Sequence, residues 1–67
     1  MTKKSKEILS RLQGEDKMDI YHCMMTYGTG FVKALAECMM RADHIDLKKL
    51  VDTFENYFEK FLPEKWS

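Results

Sequence analysis

His22, Cys23, Cys38 and His44 are the side chains of this sequence, methionines aside, that could bind a soft metal ion. Their spacing speaks against it. There is no Cys-x-x-Cys pair, and fifteen residues separate Cys23 from Cys38. On one helix that is about 22 Å, too far for a shared ion or a disulfide. Only a sharp fold at the intervening glycines would bring the four together, so the thiols read as half-buried helix residues. Gly28-Thr29-Gly30 follows an aromatic residue, as in loops that cradle phosphate. Such loops need a preceding strand and a fuller Gly-x-Gly-x-x-Gly pattern, but position 33 is Lys33. Packing is the better explanation. No Ser-His-Asp order, no spaced carboxylate pair in a cleft and no His-Glu-x-x-His motif occurs. A thin helical chain also leaves little room for a ligand pocket of about 300 Å³ or more. The expectation is a non-enzymatic protein with no catalytic, cofactor-binding or metal-binding residues.

The elements that position these residues follow from composition and periodicity. The chain has 67 residues, 45% apolar and 33% charged, with one proline and three glycines. Helix formers dominate, which predicts an all-α fold. The formal net charge is zero. That disfavours nucleic acid as a partner, since phosphate binding calls for a basic excess on some face. The one basic cluster, Lys3, Lys4, Lys6 and Arg11, reads as part of a disordered tail over residues 1–5 and the start of a helix. No apolar run reaches the roughly 18–20 residues of a membrane span. No apolar stretch after the basic N-terminus suggests a secretory signal. The expected location is the cytoplasm, with reduced thiols.

A single helical domain is expected over residues 6–62, followed by a tail over 63–67. Ile8, Leu9 and Leu12 mark one face of a short helix over 6–13, capped by Ser5 and closed by Gly14 in a left-handed conformation. Met18, Tyr21, Met25, Gly28, Val32, Leu35, Met39 and Ala42 recur in steps of three and four. The phase does not slip at the glycines, which predicts one long helix over about 16–42, started by Asp16. The alternative ends one helix at Gly28 and caps the next with Thr29. Leu47, Leu50, Val51, Phe54, Tyr57, Phe58 and Phe61 predict a helix over about 46–62, begun by Asp43 or Asp46 and stopped by Pro63.

Those two helices would form an antiparallel hairpin. At 1.5 Å per residue the first is about 39 Å long and the second about 24 Å. The aromatic end of the second then arrives near Gly28, and Gly28 and Gly30 read as a notch that admits its rings. Met18, Tyr21, Met24 and Met25 lie beyond that cover. Met18, Tyr21 and Met25, with Phe31 and Trp66, are the expected interface residues. A hairpin of this size is marginal alone, so a homodimeric bundle is expected.

From Tyr27-Gly28-Thr29-Gly30-Phe31 through Val32, Ala34, Leu35 and Ala36, the chain resembles a small protein of unknown function found in many phages and prophages. The likeness continues in Arg41-Ala42-Asp43, Lys49-Leu50, Phe54, Tyr57 and Phe61, and covers roughly residues 20–61. Asp46 departs from it, standing where an asparagine-type cap is expected. The resemblance implies a phage or prophage origin and no activity. By analogy with other small phage helical proteins, the expectation is a small interaction protein that binds or inhibits a host factor such as a defence component, as an inhibitor or an adaptor. The alternatives are a nucleic-acid-associated regulator using the basic tail and a structural, self-assembling virion component.

Overall fold

The computed structural model describes residues 1–66. It contains five α-helices: α1 (Lys3–Leu12), α2 (Lys17–Tyr27), α3 (Gly30–Arg41), α4 (His44–Thr53) and α5 (Glu55–Lys60). A single 3-10 turn, Pro63–Lys65, follows. Among the described residues there is no strand, as the composition led one to expect.

The long helix over 16–42 is not formed. The Cα envelope measures 26 × 21 × 20 Å, and a straight helix of about 39 Å does not fit inside it. The chain leaves the helix at Gly28 (φ −82°, ψ 160°) and stays extended at Thr29 (φ −73°, ψ 177°). The Thr29 hydroxyl then accepts a hydrogen bond from the Val32 N–H at 3.5 Å and starts α3. The helix pair that results is antiparallel, with Tyr21 Oη donating to Glu37 Oε1 at 2.8 Å across it. These two residues are equidistant from Thr29, as a hairpin centred there requires. The hairpin therefore lies between α2 and α3, not between helices over 16–42 and 46–62.

The unbroken stripe misled because α2 is apolar on several faces. Its buried side chains are Ile20 and Met24, not Met18, Tyr21 or Met25. In α3 the stripe is the one expected: Val32, Leu35 and Met39 are buried, with Ala36 beside them. Two different faces were joined by a register that only the second half enforces.

The expected disordered tail is instead helical from Lys3 onward. Thr2 is the N-cap, its hydroxyl accepting from the Ser5 N–H at 3.0 Å. Ser5 is buried rather than capping. Ile8, Leu9 and Leu12 do form the inner face, and α1 packs on α4 and α5 while touching α2. Gly14 is not left-handed, since no described glycine has positive φ. Asp16 precedes α2 without a capping hydrogen bond; its carboxylate takes the Arg11 Nε–H at 2.8 Å instead.

The helix expected over 46–62 begins two residues earlier, where Asp43 Oδ1 accepts from the Asp46 N–H at 2.8 Å. It bends at Phe54 (φ −114°, ψ 32°), which separates α4 from α5. The bend accompanies a tether to α1: Ser5 Oγ donates to Glu55 Oε1 at 2.6 Å, and the Thr2 hydroxyl bonds the same oxygen. The core formed between these helices centres on Ile8, Leu12, Ile20, Met24, Met39, Val51 and Phe58, all essentially without solvent contact.

Candidate functional site

The most distinctive surface is built around the α2–α3 break. Tyr27 ends α2, Phe31 lies in the first turn of α3, Tyr57 lies on α5 and Trp66 follows the 3-10 turn. Their exposures are 50%, 52%, 43% and 38%, high for rings of this size. They belong to two ring clusters. Trp66 lies parallel to Tyr27 at 4.3 Å between centroids and parallel to Phe61 at 5.6 Å. Phe31 meets Tyr57 at 5.2 Å and Phe54 at 5.8 Å.

A groove of about 310 Å³ opens among these rings, lined by Tyr27, Thr29, Val32, Asn56, Tyr57, Lys60, Phe61 and Trp66. Its volume falls at the lower limit of ligand pockets, so a chain this small does find room for one. The Trp66 indole Nε1–H donates to the Lys60 carbonyl at 2.9 Å, which holds the ring in its stack with Tyr27 and Phe61. Lys60 Nζ stands 5.9 Å from the Phe61 ring centroid.

Charged contacts fix the segment that carries Trp66. Arg11 donates to both oxygens of Glu64, at 2.6 and 2.8 Å, a two-pronged pairing that fixes orientation as well as distance. The guanidinium holds the Glu64 carboxyl down at about 2 and its own pKa is raised in return. Glu59 pairs with Lys4 and, at 3.5 Å, with Lys65, and its pKa is lowered chiefly by the Lys4 contact. Two of the four cations in the N-terminal basic cluster, Lys4 and Arg11, are thus engaged within the chain.

The structure separates the expected site residues. Phe31 and Trp66 lie on the aromatic face. Met18 is 47% exposed on the first turn of α2, while Tyr21 and Met25 are half-buried against the core. The Tyr21 hydroxyl is engaged by Glu37, which raises its pKa. The two glycines do not make a notch for rings. A Cβ on Gly28 would lie 2.5 Å from Val32 Cγ1 and closer still to the Met24 carbonyl oxygen, so the close approach is to the glycine's own flanking turns. Around Gly30 there is open space.

Tyr57, Tyr27, Asn56 and Lys60 were not singled out as site residues. By spacing from Phe54 and Phe61, Tyr57 falls on the core face. The available signal was its hydroxyl, which favours water where phenylalanine does not. Cys23 and Cys38 are free thiols, the first half-buried with its pKa raised mainly by burial. Among the described residues no three or more His, Cys, Asp or Glu side chains are grouped to hold a metal ion. No described helix is long and apolar enough to cross a membrane.

The fold and surface define a small all-α domain that displays an aromatic groove. No protein-family model, curated protein or solved structure matches the chain.

Proposed function

We propose that this is a non-enzymatic protein-interaction module that works through the face formed by Tyr27, Phe31, Tyr57 and Trp66. The observation that carries this is the exposure of four large rings, three of which, Tyr27, Tyr57 and Trp66, line one groove while Phe31 packs on Tyr57. Contiguous exposed apolar surface of this kind marks contact sites, and tyrosine and tryptophan are enriched where partners bind. Analogy with small phage proteins gives the class of partner we propose: a host protein, in the host cytoplasm, that the module binds or inhibits. The basic N-terminal residues give less support to nucleic acid, because Lys4 and Arg11 are neutralised by Glu59, Asp16 and Glu64.

Affinity capture from host lysate tests the reading. Wild type and a Phe31→Ala, Tyr57→Ala variant are compared at equal folding by circular dichroism. A partner held by wild type and lost from the variant is the expected result; equal recovery by both counts against the proposal. A second reading, a homodimer, is favoured by the same ring exposure. Sedimentation equilibrium of both proteins decides it: a mass that rises with concentration in wild type alone assigns the face to a second copy.

A further inference from the structure

We infer that the aromatic groove takes an acidic, apolar peptide segment: a hydrophobic side chain between the rings with a carboxylate beside it. This rests on the interaction role just proposed and adds the chemistry of the partner. The warrant is charge. Among the described residues Lys60 is the one charged side chain lining the groove, and no side-chain carboxylate among them lines it. Among the described residues Lys60 has no anionic partner. On the neighbouring surface lined by Lys4, Arg11, Glu59, Glu64 and Lys65, by contrast, cations and carboxylates pair with one another. The groove therefore keeps an ammonium with no ion-pair partner among the described residues, where Lys4, Arg11 and Lys65 next to it are paired. Its other polar offerings are the Asn56 amide and the Tyr27 and Tyr57 hydroxyls, all able to donate. The indole N–H is already spent on the Lys60 carbonyl, so Trp66 contributes only an apolar surface. Apolar walls with donors and one cation are complementary to an apolar residue flanked by acceptors, and not to a basic segment.

Trp66 is the only tryptophan, so its fluorescence reports on the groove directly. Two capped peptides serve as probes, Glu-Glu-Phe-Leu-Glu-Glu and Lys-Lys-Phe-Leu-Lys-Lys, titrated into the full chain. The acidic peptide is expected to bind more tightly, by up to about fivefold through one exposed ion pair, and the preference narrows in high salt. Lys60→Glu is expected to reverse the preference, whereas Lys48→Glu, the same charge change on exposed α4, leaves it in place. Tyr57→Ala weakens both peptides about tenfold or more. Equal binding of the two peptides, or a preference that Lys60→Glu and Lys48→Glu alter alike, overturns the acidic partner and leaves the interaction role standing. Binding of neither peptide, with self-association that Tyr57→Ala abolishes, assigns the groove to a second copy and overturns the inference. Binding of neither peptide and no association removes both readings.

Discussion

Gly28 and Gly30 differ by two positions and by almost everything else. At Gly28 the backbone is extended and the φ is one any residue adopts; the constraint is space. A methyl group there collides with Val32 and with the Met24 carbonyl, which also accepts the Gly28 N–H at 3.0 Å. Gly28→Ala is expected to lower stability by about 1–3 kcal/mol, the usual cost of overpacking. Gly30 opens α3 with nothing nearby. Gly30→Ala is expected to be neutral or to stabilise by about 0.4–1 kcal/mol, because alanine loses less freedom on folding. Urea melts of the two variants side by side check both values. A matched loss would return the pair to a shared packing role.

The α2–α3 hairpin is the element that brings Tyr27 and Phe31 to one end of the molecule. Its geometry has a direct observable. Nuclear Overhauser contacts are expected between the Tyr21 ring and the Glu37 side chain, which in a continuous helix would lie about 24 Å apart. The cap that starts α3 is weak, at 3.5 Å, so Thr29→Ala is expected to cost about 0.5–1 kcal/mol by thermal melting, the lower part of the capping range. At the other end of the chain, α1 supplies hydroxyls to Glu55 at the start of α5. Those bonds, from Ser5 first and then Thr2, lower the Glu55 pKa. The sequence made the inner face of α1 legible through Ile8, Leu9 and Leu12. It did not reveal that Ser5 belongs on that face, because a buried serine announces itself only through its partner, fifty residues away.

Across the whole molecule, carboxylates tie the N-terminal helix to the C-terminal segment, and this gives stability a pH dependence with a definite sign. Glu64, Glu59 and Glu55 all have folded pKa values below their unfolded ones, Glu64 falling to about 2. Between about pH 4.5 and pH 2 the unfolded chain therefore binds more protons than the folded chain. Their contribution is complete above about pH 4.5 and is lost as pH falls toward 2. At the alkaline end Lys4 and Tyr21, both raised, contribute below about pH 10 and lose that contribution as pH rises through their folded values. Urea midpoints followed by circular dichroism at pH 7, 4 and 2.5 are expected to fall most steeply over the last interval. Glu64→Gln is expected to be less stable at pH 7 and to show a shallower acid decline. A decline identical to wild type would mean that the Arg11 pairing is absent in solution.

The residues by themselves determined the helical class, the inner faces of α1 and α3, a helix start near Asp43 or Asp46 and the halt before Pro63. Each depends on local periodicity or on a side chain reaching its own backbone a few residues away. Tertiary structure decided where α2 turns its apolar surface, because Met18, Ile20, Tyr21, Met24 and Met25 offer several stripes and only contact with α1 and α3 selects one. It also decided that the chain folds back at Thr29. The intrinsic cost of two glycines does not distinguish a bend from a break, whereas a Cα envelope only 26 Å long does. The aromatic groove is the product of that choice: Tyr27 and Tyr57 are thirty residues apart in sequence, and nothing local to either says that they will share a surface.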